Sequence, residues 1–186
     1  MSTRSIIGIA IVVPVAIIVF FVANASSPST GVRMGSKPAM AECTKPAPDC
    51  LPTDFSILDT NREQHPADVL KGKIIVLNFW ATWCKPCKKE IPAFNRVFEK
   101  YKDRGVEMFG VVTEDIDPSR LLNFASDNEM TYPIVYLDDK LARHFGVPSN
   151  IPTTFVYDKH GSRRINHLGA LEEAALTEIL DELLAE

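Results

Sequence analysis

From residue 51 onward, the spacing of apolar and polar positions predicts strands and helices in alternation. Residues 74–80 (IIVLNFW) form an almost unbroken apolar and β-branched run, which is typical of a strand buried on both faces of a sheet. Beyond it, four apolar residues recur at spacings of three and four: Ile91, Phe94, Phe98 and Tyr101. This stripe predicts an amphipathic helix that ends at Gly105.

The remainder of this region continues the alternation. Further strands are predicted at residues 106–112, 134–137, 153–157 and 163–168, the last two as a hairpin. Helices are predicted over 118–130, with Leu121, Leu122 and Phe124 facing inward, around 141–145, and at the C-terminus along Leu176, Ile179, Leu180, Leu183 and Leu184. The pattern predicts an α/β domain whose central mixed β-sheet is covered by helices on both faces.

The N-terminus has a different pattern. Residues 6–23 are apolar and uncharged, close to the roughly 20 residues that a membrane-spanning helix needs. Arg4 before this run predicts that the N-terminus is cytoplasmic and that the rest of the chain is outside. A cleaved signal peptide is the alternative, because Ala23-Asn24-Ala25 suits a cleavage site. A retained anchor is favoured because the run exceeds the roughly 7–15 residues of a signal core.

Composition divides the chain into three parts. Residues 1–25 are the signal anchor or signal peptide, residues 26–50 a Pro- and Ser-rich tether, and residues 51–186 the globular domain. The net charge of −4 argues against a nucleic-acid partner, since nucleic-acid-binding domains usually carry a basic excess.

Export from the cytoplasm predicts that the four cysteines are paired. Cys43 and Cys50 lie at the end of the tether, in the segment CTKPAPDC. We expect a small structural disulfide that ties the tether to the edge of the domain, worth at most about 2–3 kcal/mol for so short a loop. A second redox pair and a metal site are the alternatives, although no histidine or second cysteine pair lies nearby to complete four ligands.

Cys84 and Cys87 lie at the junction of the first predicted strand and the helix after it, in the motif Trp83-Cys84-Lys85-Pro86-Cys87. At that position the helix dipole and the free backbone N–H groups favour a thiolate at Cys84, and the charge of Lys85 adds to the effect. The thiolate is the attacking species in disulfide exchange. We therefore predict that Cys84, with a depressed pKa, attacks, and that a more buried Cys87 resolves the mixed disulfide.

At these residues the chain resembles the thioredoxin superfamily, and more closely its membrane-tethered TlpA/ResA branch, which includes the CcmG-type proteins of cytochrome c assembly. The matching segments are VLNFWATWCKPCKKEIPAF (76–94) and NIPTTF (150–155). The resemblance implies a thioredoxin-like fold with a cis Pro152 facing the disulfide. Ile151, Pro152 and Thr153 would bind substrate, and Trp83 would shield the disulfide. Residues 115–138 would hold the extra helix and strand of this branch.

Asn78 occupies the position at which thioredoxin has a buried aspartate, and this branch commonly carries asparagine there. Because an asparagine cannot take up a proton, proton transfer to the Cys87 sulfur requires another group. Glu114 and Glu90 are the candidates, and we expect Glu114, at the end of a strand, to be that group, with a pKa raised by partial burial.

The expected function is reduction of disulfides in exported proteins, apocytochrome c being one example, with no metal or organic cofactor. The resemblance implies that the electrons come from a membrane thiol carrier. A disulfide-forming oxidant of the same fold is one alternative. A copper chaperone is another, but a carrier of the Sco type would show C-x-x-x-C and a downstream histidine, whereas this chain has C-x-x-C and no histidine beside Pro152.

Overall fold

The computed structural model describes Cys43, residues 49–52 and residues 55–186. The predicted membrane segment at 6–23 and most of the predicted tether lie outside the described residues, so the domain limits at 25 and 50 stay predictions. Among the residues described, none of the helices has both the length and the apolar character required to cross a membrane.

A five-stranded mixed sheet forms the centre of the domain, as predicted. Its strands are β3 (Ile74–Trp80), β4 (Val106–Val112), β5 (Ile134–Tyr136), β6 (Thr153–Tyr157) and β7 (Arg163–Leu168), in the spatial order β5-β4-β3-β6-β7. Strands β3, β4 and β5 are parallel, whereas β6 and β7 are antiparallel to their neighbours. A separate two-stranded hairpin consists of β1 (Ser56–Leu58) and β2 (Gln64–Pro66).

Five α-helices accompany these strands in the described part of the chain: α1 (Ala67–Leu70), α2 (Lys85–Tyr101), α3 (Pro118–Asp127), α4 (Asp139–Phe145) and α5 (Glu173–Ala185). A 3₁₀ turn (Lys102–Arg104) follows α2 and ends at Gly105, whose φ of +85° suits glycine. Helices α2 and α5 cover one face of the sheet, and α4 covers the other, which confirms the predicted layers.

Strand β3 lies in the middle of the sheet because it can be buried on both sides. All seven of its residues are buried. Ile75, Leu77 and Phe79 belong to the apolar core under α4, whereas Ile74 and Val76 belong to the core under α2 and α5. Because β3 is packed on both faces, its C-terminal end has a fixed position, and α2 begins a few residues after it.

Two parts of the domain differ from the sequence prediction. Leu122 does not face inward: its side chain is 49% exposed, whereas Leu121 is fully buried, because adjacent residues on a helix point about 100° apart. Residues 56–70, for which the sequence pattern predicts no element, form the β1–β2 hairpin and α1.

Candidate active site

Cys84 and Cys87 form a disulfide at the start of α2. Cys84 is the N-cap of the helix, and its sulfur accepts a hydrogen bond from the backbone N–H of Cys87 at 3.3 Å. Pro86 lies in the first turn, where its missing N–H removes no helical hydrogen bond. The local sequence thus starts a helix at the first cysteine and directs a free N–H group at its sulfur.

Both cysteines are enclosed in this disulfide-bonded form, with exposed fractions of 3% for Cys84 and 1% for Cys87. They pack in an apolar cluster with Trp80, at the end of β3, and with Leu121 of α3. The expected contrast in burial between the cysteines is therefore small here. Trp83, by contrast, is 66% exposed beside the disulfide.

The segment before β6 lies against the same cluster. The Ile151–Pro152 peptide bond is cis, and Ile151 packs on the cluster that contains both cysteines. The Pro152 carbonyl accepts a hydrogen bond from Gly169 N–H at 2.9 Å, and the Thr153 hydroxyl donates to the Asn150 carbonyl at 2.7 Å. The structure thus brings together the two motifs that the sequence separates by about 65 positions.

A buried polar group lies around Glu90, one helical turn after Cys87. Asn78 of β3 donates from its amide nitrogen to Glu90 Oε1 at 2.9 Å and to the Thr154 hydroxyl at 3.2 Å. The second oxygen of Glu90 accepts the backbone N–H of Leu171 at 3.0 Å. Burial raises the pKa of Glu90 to about 7, although the hydrogen bonds from Asn78 and Leu171 act in the opposite direction.

Glu90 is also correctly placed relative to Cys87. The two residues are three apart on α2, so their side chains share one face of the helix, and both are buried. Of the two carboxyl groups suggested by the sequence, Glu90 is the buried one on the helix that carries the cysteines.

Glu114, the preferred candidate from the sequence, occupies a different position. It follows β4, is half-buried, and its carboxylate accepts the backbone N–H of Thr82. Thr82 lies two residues before Cys84, so this contact fixes the connection between β3 and the redox helix. Proton transfer by Glu114 stays a prediction.

The Cys43–Cys50 disulfide lies at the other end of the sheet. The neighbouring backbone pairs with the β6–β7 turn, through Cys43 N–H to the His160 carbonyl at 3.3 Å and Leu51 N–H to the Gly161 carbonyl at 2.7 Å. An ion pair between Arg163 and Asp49 at 2.7 Å adds to this contact.

One group of side chains in the described residues has the composition of a metal site: Asp59, Glu63 and His65 offer ligand atoms within 4.8 Å of one another. However, Asp59 already accepts the backbone N–H groups of Asn61 and Glu63, both at 2.9 Å. This arrangement closes the turn between β1 and β2, and it lies outside the cysteine site.

Sequence reasoning missed Thr154 and the Leu171 amide, and it ranked Glu90 second. Glu90 had a partial signal, because it lies three residues after Cys87 and four before Phe94, on the same face of the helix. The contacts of Thr154 and Leu171 had none, since they depend on tertiary pairing between β3, β6 and the β7–α5 loop.

Comparison with known proteins shows the family to which this chain belongs. The model of the AhpC/TSA family matches residues 45–164, more than half of the chain. A relative named thiol-disulfide oxidoreductase ResA, from Bacillus thuringiensis (strain Al Hakam), is 36% identical over 109 residues, which is 58% of this chain and 62% of that protein. The ResA of Bacillus cereus (strain ATCC 10987 / NRS 248) is 34% identical over 127 residues, or 68% of this chain and 69% of the relative.

Among solved structures, a thiol:disulfide interchange protein of the thioredoxin family from Chlorobium tepidum TLS superposes with a TM-score of 0.66 at 28% identity. The match covers 75% of this chain and 99% of that one. With the first ResA relative, the chain shares only about three fifths (62%) of the relative's length. The fold is therefore thioredoxin-like, and the chain belongs to the AhpC/TSA family, as a thioredoxin-like relative of the ResA thiol-disulfide oxidoreductases.

Proposed function

We propose that this chain is a thiol–disulfide oxidoreductase that acts outside the cytoplasm and reduces disulfides in exported proteins. The observation that carries the proposal is the Cys84–Cys87 disulfide at the N-terminus of α2, packed against the residue before a cis-proline. The relatives named ResA and the Chlorobium tepidum interchange protein support the same chemistry by their names.

Cys84 is the proposed nucleophile in the reduced form. Its sulfur lies where the helix dipole is positive and accepts the Cys87 N–H, both of which stabilise a thiolate. Lys85, exposed next to it, adds positive charge. Attack of the Cys84 thiolate on a substrate disulfide forms a mixed disulfide and releases one substrate sulfur as thiolate.

Cys87 then completes the exchange. Its thiol loses a proton, the resulting thiolate attacks the Cys84 sulfur, and the second substrate sulfur leaves. The two electrons of the dithiol have then passed to the substrate, and Cys84 and Cys87 are again a disulfide. Glu90 is the proposed acceptor of the Cys87 proton, because a buried carboxyl with a pKa of about 7 can exchange a proton near neutral pH.

The proposed substrate is a polypeptide with its disulfide exposed, bound along Ile151, Pro152 and Thr153. Trp83 supports this proposal because two thirds of its surface is free beside the disulfide, and exposed aromatic side chains are frequent in protein contacts. Cytochrome c assembly is the finer proposal, and it rests on the branch that the sequence resembles.

The proposed location is a membrane surface, with residues 6–23 as anchor and a membrane thiol carrier as electron donor. The length of that apolar run and the positive charge of Arg4 before it support an anchor. The mass of the mature protein in the membrane fraction tests the proposal. Loss of the first 25 residues would identify a cleaved signal peptide instead.

The deciding measurement is the reduction potential of the Cys84–Cys87 pair in the full-length chain, equilibrated against dithiothreitol and glutathione buffers. A C43S/C50S variant isolates this couple from the second disulfide. A potential near about −270 mV or lower would identify a reductant, whereas one near about −120 mV would mean that electrons flow in the opposite direction. Failure of the native chain to exchange with any protein disulfide, at a rate above that of C84S, would reject the proposed function.

A further inference from the structure

The hydrogen bonds around Glu90 are those of its ionised form, in which both oxygens accept and neither donates. Both carboxylate oxygens accept: Oε1 from the Asn78 amide at 2.9 Å, and Oε2 from the Leu171 backbone N–H at 3.0 Å. If Glu90 accepts the Cys87 proton, as the proposed function requires, one oxygen becomes a donor. A buried donor that faces another donor would leave both groups unsatisfied.

The geometry decides which oxygen receives the proton. A proton on Oε2 would have no acceptor among the described residues, because the group that contacts this oxygen, the Leu171 backbone N–H, can only donate. The proton must therefore lie on Oε1, the oxygen that faces Asn78. There it meets the Asn78 amide nitrogen, which is a donor in the ionised arrangement.

Asn78 and Thr154 are able to reverse this arrangement. A primary amide carries a donor nitrogen and an acceptor oxygen on opposite sides, and a hydroxyl can both donate and accept. Asn78 Oδ1 accepts no hydrogen bond from a described residue, so rotating the amide gives up only the two bonds that its nitrogen donates to Glu90 and Thr154. After rotation, Oδ1 would accept from both the Glu90 carboxyl and the Thr154 hydroxyl.

We propose that the Asn78–Thr154 pair is a positioning device that reverses its hydrogen bonds when Glu90 takes up a proton. In the ionised state Asn78 donates to Glu90 and to Thr154, and in the protonated state it accepts from both. Asn78 is 2% exposed and Thr154 fully buried, so water cannot replace either partner easily. The inference rests on the proposed function for the origin of the proton, but the reversal itself depends only on the titration of Glu90.

Two other titratable groups face this site among the described residues. Tyr132, from the loop before β5, is buried near Glu90, and burial together with the Glu90 charge raises the pKa of its phenol. Cys87 is the second, once it is reduced. In the oxidised protein Cys87 does not titrate, and Tyr132 stays neutral around pH 7, so Glu90 can be observed alone.

Thr154→Val gives the test, because valine keeps the shape and removes the hydroxyl. The variant leaves the ionised state with an Asn78 amide hydrogen that has no acceptor. In the protonated state the variant lacks only the hydrogen bond from residue 154 to Asn78 Oδ1, which still accepts from Glu90. An oxygen with one unused lone pair costs less free energy than an amide hydrogen without an acceptor. We expect the midpoint of Glu90 titration to rise from about 7 in the native chain by about one pH unit, the size of one hydrogen bond.

The measurement is pH-difference infrared spectroscopy of the oxidised full-length chain, with E90Q to assign the carboxyl band. Thr154→Ser, which retains the hydroxyl, should return the midpoint to the native value. Thr131→Val, which removes a hydroxyl that contacts Asn95 at 3.3 Å on the surface, should leave the midpoint unchanged.

An unchanged midpoint in Thr154→Val, an equal rise in Thr131→Val, or a failure of Thr154→Ser to restore the native midpoint would overturn the inference. None of these readings needs an exchange reaction. A chain with the expected shifts but no activity on protein disulfides would therefore reject the proposed function and leave the inference standing.

Discussion

Replacing Glu90 by glutamine should change how the stability of the protein depends on pH. The folded pKa of Glu90 is about 7, against an ordinary value of 4.5. Between these values the folded protein binds more protons than the unfolded chain, so the native free energy of unfolding falls as pH rises through this window. Below pH 4.5 the contribution is fully favourable to folding, and above pH 7 it is lost.

The magnitude follows from the pKa difference. A difference of about 2.5 pKa units at ~1.36 kcal/mol each corresponds to about 3 kcal/mol over the whole window, most of it between pH 5 and pH 8. Glu90 is only 4% exposed, so solvent screening reduces this free energy only slightly. Glutamine has nearly the same shape but does not titrate, so the E90Q variant should lack this part of the pH dependence.

Urea denaturation of the oxidised native and E90Q chains at pH 5, 6, 7 and 8 measures the effect. The native chain should lose about 2–3 kcal/mol more stability than E90Q across this range. The same substitution at Glu178, an exposed position on α5, is the matched control and should preserve the native slope. Parallel slopes for the native chain and E90Q would contradict this expectation, because they would mean that Glu90 ionises as easily in the folded protein as in the unfolded one.

Two further predictions concern the disulfide and the core behind it. Cys87→Ala should accumulate a mixed disulfide between Cys84 and a protein substrate, visible on a non-reducing gel, whereas Cys84→Ala should not; the reverse result would exchange the two roles. Gly110→Ala should destabilise the fold by about 1–3 kcal/mol in urea denaturation, because the added Cβ would lie 2.8 Å from Tyr132 Cε2 and 2.9 Å from Trp80 Nε1. An equally stable Gly110→Ala variant would show that these rings move aside at no cost.

The elements that were predictable from the sequence are those with a long, regular pattern of apolar residues. Residues 74–80 are apolar throughout because both faces of β3 are covered, and the stripe on α2 is apolar every third or fourth residue because one face packs on the sheet. The β1–β2 hairpin and α1 span three or four residues each, which is too short for a period to be visible. Leu122 was wrongly assigned because a helix that buries a narrow stripe leaves the neighbour of a buried leucine outside.

The chemistry at the site was predictable only as far as local sequence specifies it. The spacing of Cys84 and Cys87 at a strand–helix junction is enough to predict both the disulfide and the position of Cys84 at the start of the helix. The environment of Glu90 does not follow from local sequence, because its partners Asn78 and Leu171 come from two other segments.

The Cys43–Cys50 disulfide lies at the end of the sheet opposite the Cys84–Cys87 disulfide. It lies by the β6–β7 turn, beside the N-terminal end of β3, because Tyr157 pairs with Ile75 while Thr153 pairs with Phe79 near the redox helix. The length of β3, about 20 Å at 3.3 Å per residue, separates the two disulfides. Any contact that the chain makes through the residues around Cys43 would therefore lie at the opposite end of β3 from Cys84, so it would not cover the reactive sulfur.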